Sequence, residues 1–567
     1  MKVCKKVLFF YGLMISVFMT CMAKEPQKIL SPVLQAMESE LSRTLAALKD
    51  QPAPPYFLSY EITETNSIVA SGAFGALTSS LESRRRLLDI DLRVGDYSLD
   101  NTHPVRSGVP DFSERYSIIE IPIEDSPDAI RSILWYHTDR KYKRSLERLT
   151  QLKTDIRMRA SEEDKSGDFS PESAENFIED QVKIKVNRAL WEEKVRKYTA
   201  PFAKYGDIYE ARAYLDATVE SRWYVSSEGS RIQTSQSYCR LSISAFTKAE
   251  DGMELPRYES FFSFTPDGLP DDGTVLKAVE KMINDLHALR AAPIVDPYTG
   301  PAILSGRASG VFFHEVFGHR IEGHRQKRVE EAQTFRKMLN EKVLPETFSV
   351  YFDPSVTRSG NADLSGSYRY DNQGVKARRV PIIEKGVFKG FLMSRTPIEG
   401  FPKSNGHGRK QPGFTPVSRQ SNLFVEVSQA MSRAELKNKL IEQLKKEDKP
   451  FGLYFENIQG GFTMTGRTIP NAFNVLPIMV YRIYVDGREE LVRGVDLIGT
   501  PLTAFSKIEA ADDQIGIFDG TCGAESGGVP VSSVSPGILV SQIEVQKKAK
   551  SEERPPILPA PFKDNKQ

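Results

Sequence analysis

Gly310-Val311-Phe312-Phe313-His314-Glu315-Val316-Phe317-Gly318-His319-Arg320-Ile321-Glu322-Gly323-His324 gathers three of the chain's seven histidines into eleven residues. An apolar run leads into a His-Glu pair and a second His follows, the composition of a helix that carries a divalent metal and a general base. In the familiar metalloprotease helix the two histidines stand four residues apart on one face. Here they stand five apart, which at about 100° per residue leaves them about 140° from each other. A single i→i+5 turn would rotate one back, and such turns occur mostly at functional sites. Gly318, which has no Cβ, would ease that distortion. The alternative is a surface helix that happens to hold histidines, but an apolar helix start followed by His-Glu is costly to bury without a use.

A catalytic metal site needs three protein ligands, an open position for water and a base near it. His314 and His319 supply two ligands and Glu315 the base. For the third, Glu322, His324 and the distant Cys522 in Gly520-Thr521-Cys522-Gly523 are all chemically suitable. The glycines at Gly460-Gly461 and at Gly523, Gly527 and Gly528 do not form a phosphate loop, because neither group is followed by Lys-Ser/Thr opening a helix.

The elements that must position these groups belong to a chain of 567 residues, too long for one core and suited to two or three domains. Its 76 basic and 75 acidic residues leave a formal charge of +1, so no global field attracts nucleic acid. At 40% hydrophobic and 27% charged, it has the composition of a globular chain, with no stable membrane span once its first segment is removed. That segment has a basic start (Lys2, Lys5, Lys6), an apolar core from Val7 to Met19 and small residues at Cys21-Met22-Ala23. It reads as a secretory signal cut after Ala23, which predicts a periplasmic or secreted protein. A lipid-bearing Cys21 is the rival, but Phe18-Met19-Thr20 lacks the small residues expected before it. Removal of the signal leaves Cys239 and Cys522, able to form one bridge or to provide one metal-bound thiolate. Cys239 reads as a buried apolar residue.

Residues 24–290 read as an N-terminal α+β domain. Pro32 to Leu48 has helical spacing. Tyr56–Glu64, Leu77–Leu88 and Leu88–Leu99 alternate as strands of an antiparallel sheet with one wet face, Gly95-Asp96 offering a turn. A charged helical insertion, about residues 126–202, starts at Ser126-Pro127-Asp128 and restarts at Ser170-Pro171-Glu172, and is expected to form an exposed helical hairpin. Strands follow at Ala211–Val225 and Arg231–Phe246, then a helix at Asp272–Leu289. Residues 291–550 read as a mostly antiparallel β domain carrying the His-Glu helix, which the charged run extends to about Leu339. Hairpins are expected around Glu384-Lys385-Gly386 and Asp486-Gly487, with a helix near Ser432–Glu447. Residues 551–567 form a proline-rich tail.

His-Glu-x-x-Gly-His-x-x-Glu-Gly, with Thr521-Cys522-Gly523 far downstream, resembles the TldD/PmbA metallopeptidase family. Asp371-Asn372-Gln373-Gly374-Val375, Gly406-His407-Gly408-Arg409, Ser418-Arg419-Gln420-Ser421-Asn422, Leu497-Ile498-Gly499-Thr500 and Val529-Pro530 stand in the family's order. The resemblance is specific from about residue 293 to 550 and weak before it. It implies a TldD-like catalytic chain holding one zinc through His314, His319 and Cys522, with Glu315 as general base. It further implies a homodimer, or a heterodimer with a PmbA-like subunit, acting on unfolded peptides. Where the family often has Asp after Glu-Gly this chain has His324, expected to support the ligands or face substrate rather than to ligate. Arg419, Asn422 and Arg409 are candidates to hold substrate carbonyl or carboxylate groups, the equal alternative for the arginines being a structural place against backbone carbonyls. The competing class is a non-catalytic, metal-stabilised binding or assembly protein of the cell envelope.

Overall fold

The computed structural model describes residues 31–104, 118–156, 164–327, 331–466, 472–549, 553–558 and 560–561; the expected signal, residues 1–23, lies outside them. Ser31 caps the helix Pro32–Leu48 by accepting a hydrogen bond from the Leu34 N–H, with Pro32 at the first position. The alternating segments after it form one long hairpin, Pro55–Ala73 with Ala76–Val94. Its turn is Phe74-Gly75, both at positive φ (48° and 85°). Two expected strands, Leu77–Leu88 and Leu88–Leu99, are therefore one, and Gly95-Asp96 lies just beyond its end. Glu210–Ser226 joins the free side of the first strand, followed by Arg231–Lys248 and then Glu254–Ser263, all antiparallel; the short Asn176–Ile178 pairs in parallel with Arg231–Gln233.

Helices cover one face of this sheet. Leu58, Tyr60, Ile62, Trp223 and Val225 pack against Val33, Met37, Ile130 and Leu134. Ala213, Leu215, Leu241 and Ile243 pack against Trp191, Val195, Val279 and Met282. The expected exposed helical hairpin is corrected here. Pro127–Ile156 joins the core through Ile130, Leu134 and Leu149, and the second helix begins at Arg188 with Asn187 as its cap, not at Ser170. Burying an apolar stripe outweighs the charge on the remaining faces of these helices.

The other face of the sheet is not wet: the second lobe covers it with polar contacts. Lys410 Nζ lies 2.9 Å from Glu61 and 2.5 Å from Asp89, the Arg222 guanidinium donates to the Tyr370 carbonyl, and Tyr224 Oη donates to the Gln373 carbonyl. Alternation of polar and apolar side chains looks the same whether the polar side meets water or a polar partner surface.

In the second lobe, Tyr298–Leu304, Phe451–Thr463, Phe473–Tyr484, Val495–Gly499 and Gly527–Lys547 close into a five-stranded ring, with one parallel and four antiparallel pairings. Asn422–Val427, Phe348–Phe352 and Val380–Glu384 extend it on the outside. The long hairpin Ile508–Ala524 with Gly527–Lys547 is part of the same sheet. The hairpins at residues 384–386 and 486–487 are present, as is a helix, Arg433–Lys446, closed by a capping box between Ser432 and Glu435. The fold is α+β, with the second lobe mostly antiparallel β around one helix. No helix of the described residues is long and apolar enough to cross a membrane. Of the tail, Glu553 pairs with Lys248 and Arg554 donates to the Glu250 carbonyl.

Candidate metal centre

The helix that carries the histidines starts at Gly306, where Ser305 Oγ accepts from the Ala308 N–H and donates to the Glu456 carbonyl. Val311, Phe312, Phe313, Val316 and Phe317 anchor it in the core of the second lobe, with Phe317 stacked on Phe505 at 4.7 Å. Residues Phe313–Phe317 form a π turn and Gly318–Ile321 a 3₁₀ turn. The five-residue histidine step is thereby closed, and the two rings meet edge to face at 5.0 Å. Arg320 donates to the carbonyls of Glu315 and Val316 at the end of the distorted turn. Gly318 has a further reason to lack a side chain: a Cβ there would lie 1.9 Å from Gln420 Oε1. The Gln420 amide fills that space and donates to the His314 carbonyl at 3.3 Å.

The helix does not run on to Leu339 as expected. It ends at Ile321, because Glu322 and Gly323 pair with Leu392 as a short β bridge, and one helical turn, His324–Lys327, follows. Backbone pairing with a distant strand overrides the helical character of the charged run.

Cys522 arrives from the long hairpin, opposite Val529 and two residues before the closing Ala524–Gly527 pair. Its Sγ lies 3.4 Å from His319 Nε2, and His314, His319 and Cys522 place their donor atoms within 4.8 Å of one another. Burial alone would push the Cys522 thiol up. The imidazoles of His319 and His314 outweigh it and hold the thiol well below its usual range. Burial likewise opposes charge on His319, but Cys522 and Glu322 raise its affinity for a proton well above the ordinary value. Two imidazoles and a thiolate-prone sulfur converging on one point are the donor set of a divalent-metal site, so these residues fit a metal ion. Glu315 stands beside them, one carboxylate oxygen 3.9 Å from His319 Nε2. Cys239 is unbridged and fully buried in the first lobe, its thiol pushed up to about 12 by burial.

Glu322 faces the other side of His319, its carboxylate 3.4 Å from Nδ1. Burial is the largest influence on this carboxyl and would raise it, but His319 and Arg325 outweigh burial and bring it down to about 2. Arg325 donates to Glu322 at 2.8 Å and to Glu525 at 2.8 Å. Arg419 Nε lies 3.5 Å from Glu322, while its other nitrogens donate to the carbonyls of Cys522 (2.6 Å) and Gly527 (2.9 Å) and to Ser526 Oγ (2.7 Å). Helix and hairpin are thus joined by two arginines through one carboxylate.

A cavity of about 600 Å³ opens over the triad, lined by His314, Glu315, His319 and Cys522 on its floor and by the strand segments 459–463 and 518–525 at its sides. Four residues expected at a substrate site do not line it. Arg419 is engaged with the hairpin tip as described. Arg409 donates to the Gln420 carbonyl and lies over the Tyr368 ring. The Asn422 amide donates to the Val356 carbonyl. His324 Nε2 sits 2.5 Å from Glu525. Sequence reasoning also passed over Gly460-Gly461 as a working element. A Cβ on Gly461 would come within 3.0 Å of Glu315 Cγ, so the glycine lets the strand pass beside the base. The signal available was a glycine pair inside a strand, which marks a close approach.

A carboxylate beside two imidazoles and a thiol, at the floor of a cleft between strand edges, fits metal-assisted hydrolysis. Comparison with known proteins fixes the family. Residues 171–286 match the PmbA/TldA metallopeptidase central domain and residues 297–547 the PmbA/TldA metallopeptidase C-terminal domain; between them they take in well over half of the chain, which belongs to this metallopeptidase family. The second half of the expected insertion is thus part of the central domain. A metalloprotease of Methanocaldococcus jannaschii is 25% identical over 64% of this chain and 73% of its own length. A zinc metalloprotease TldD homologue of Saccharolobus solfataricus is 26% identical over 48% of this chain, which spans 57% of that relative. In fold, the chain is similar to TldE from Thermococcus kodakarensis, with a TM-score of 0.58, 14% identity, and 90% of this chain and all of that one covered.

Proposed function

We propose that the chain is a zinc-dependent metallopeptidase that hydrolyses peptide bonds in unfolded peptides or flexible segments. The observation that carries this reading is the convergence of His314, His319 and Cys522 beside Glu315 at the floor of the cavity. One zinc held by these three residues would supply polarisation of a peptide carbonyl and a lowered pKa for water. Glu315 takes the proton of the attacking water on a carboxylate oxygen and passes it to the leaving amine nitrogen, so the carboxylate is regenerated each turnover. Glu322 holds the His319 ring by its Nδ1, which leaves Nε2 facing Cys522.

The cavity walls favour an extended substrate. In the described residues, 457–463 pair only with Phe473–Met479 and 515–524 only with Gly527–Pro536, so each strand turns an unpaired edge towards the cleft. A peptide chain adds to such an edge through backbone hydrogen bonds, with little demand on its sequence. A strand already paired on both edges inside a folded protein has no free backbone groups to add in this way.

The reading includes assembly as a dimer, with a second copy or with a PmbA-like subunit, as the sequence resemblance implies. The N-terminal sequence supports export across a membrane with removal of residues 1–23. Glu315→Gln tests the central reading. Metal content measured on the purified chain should stay unchanged while cleavage of an unstructured peptide falls about a hundred- to ten-thousandfold. A metal-stabilised binding protein would show no cleavage before or after the substitution, and that result would sink the proposal.

A further inference from the structure

One wall of the cavity comes from the first lobe. Along Arg231–Lys248, Cys239, Leu241 and Ile243 point into the core beneath the helices, so Arg240 and Ser242 point to the face covered by the second lobe. Arg240 and Tyr258 reach the cavity there. Arg240 Nη1 donates to Ser260 Oγ (2.9 Å) and to the Asp519 carbonyl (3.1 Å), and the guanidinium lies 5.2 Å from the Phe262 ring centre. One nitrogen and one ring therefore fix the group in place. Nε and Nη2, the pair that forms the side-on fork, make no hydrogen bond among the described residues.

The electrostatic surroundings distinguish Arg240 from the other cation of the cavity. Arg325 is neutralised by Glu322, Glu331 and Glu525. Arg240 forms no ion pair among the described residues. Asp519, whose carboxyl feels the Arg240 charge, spends one carboxylate oxygen on the Ser365 N–H and on the Ser532 hydroxyl, and Asp216, opposite Arg240 across the strand pair, accepts from the Thr218 hydroxyl. A half-buried, pre-positioned guanidinium with its fork open to a cleft is built to receive a carboxylate.

We propose that Arg240 is a specificity residue of the cavity, binding a carboxylate of the peptide through Nε and Nη2. The carboxylate is either the free C-terminus or an Asp or Glu side chain. The proposal rests on the cavity being a peptide site, and it adds a preference that the metal triad cannot supply. It also gives the first lobe a part in substrate selection.

The test is binding, kept apart from turnover. Three labelled peptides of one neutral sequence are compared on the zinc-loaded, full-length Glu315→Gln chain by fluorescence anisotropy: a free C-terminal acid, its C-terminal amide, and the amide with one internal Asp. One of the two acidic peptides should bind about ten- to a hundredfold more tightly than the neutral amide, the range for one charged hydrogen-bonded pair, and which one it is names the source of the carboxylate. Adding Arg240→Ala should bring that ratio close to one, and adding Arg240→Lys should leave it in between. A merely structural arginine would weaken all three peptides alike and leave the ratio unmoved. A ratio near one in the parent, no binding of any peptide, or a preference that survives Arg240→Ala overturns the inference. Cleavage by the chain with Glu315 intact is scored separately: cleavage without a carboxylate preference sinks Arg240 and spares the peptidase, whereas the preference without cleavage does the reverse.

Discussion

Glu322→Gln separates the support of the metal site from the site itself. The side chain is fully buried; Oε2 lies 3.4 Å from His319 Nδ1 and 2.8 Å from Arg325 Nε, and Oε1 lies 3.5 Å from Arg419 Nε. Glutamine has the same shape but one acceptor oxygen instead of two, and its NH₂ must face one of those donors. With the NH₂ in the Oε2 place, His319 and Arg325 both lose their acceptor; with it in the Oε1 place, it faces Arg419 Nε and the group behind His319 loses its negative charge. Loss of a carboxylate behind a ligating imidazole typically weakens metal binding about ten- to a hundredfold, or about 1.4–2.7 kcal/mol.

Two measurements keep this apart from a loss of folding. Zinc affinity is read by competition with a chromophoric chelator, and the stability of the metal-free chain by thermal melting. Glu525→Gln is the control, because Glu525 holds Arg325 and His324 but does not touch a ligand. It should cost comparable stability, about 1–3 kcal/mol, with zinc affinity changed less than about threefold. If Glu322→Gln binds zinc within about twofold of the parent, the Glu322 charge does not strengthen His319 as a ligand. If both variants lose affinity equally, the effect belongs to the hairpin's stability and the orienting role is refuted.

Gly318→Ala should destabilise the chain by about 1–3 kcal/mol, since its Cβ would fall 1.9 Å from Gln420 Oε1. Denaturant unfolding of Gly318→Ala alone and with Gln420→Ala checks this, because the second change removes the clash and should return part of the loss. Asp272, in the first turn of the helix Asp272–Ala291, has its carboxyl held well below the usual range by hydrogen bonds from Lys197 and Tyr198. A depressed carboxyl contributes stability above its ordinary pKa and loses that contribution as acid protonates it in the fold. Asp272→Asn should therefore cost about 1 kcal/mol at pH 7 and little once the pH falls well below 3.8, read from urea unfolding at several pH values.

What could be read from the sequence was what depends on local geometry. The five-residue step between His314 and His319 demands a π turn on helical geometry alone, and the turn is there. The strand Arg231–Lys248 and the helix Arg433–Lys446 declare themselves by period and by caps. Spacing alone allows Glu322 as a ligand, but it carries no sign of the bridge to Leu392 that draws the chain out of the helix there and sets the carboxylate on the far side of the ring. The turn at Phe74-Gly75 was hidden because phenylalanine is not a turn signal, and its positive φ is tolerated only within the completed hairpin. Arg240 carries no local mark at all: on a strand, an outward arginine reads as solvated until a second lobe is laid over it.

The same contrast explains why charged groups from outside the hairpin hold its tip. Cys522 is two residues from the closing pair of a hairpin, and the end of a hairpin is where a sheet opens most easily. A metal ligand in that place needs a restraint of its own. Apolar packing around it is slight, limited to Val529 and Val531. The restraint comes instead from Arg419, whose three hydrogen bonds reach both strands of the tip, at Cys522, Ser526 and Gly527. A guanidinium buried in this way needs a counter-charge, and Glu322 supplies it while also holding His319. One carboxylate thus sets the orientation of a helix ligand and the seating of a hairpin ligand two hundred residues away. Loss of Arg419 should therefore displace the thiol most and reach His319 only through Glu322.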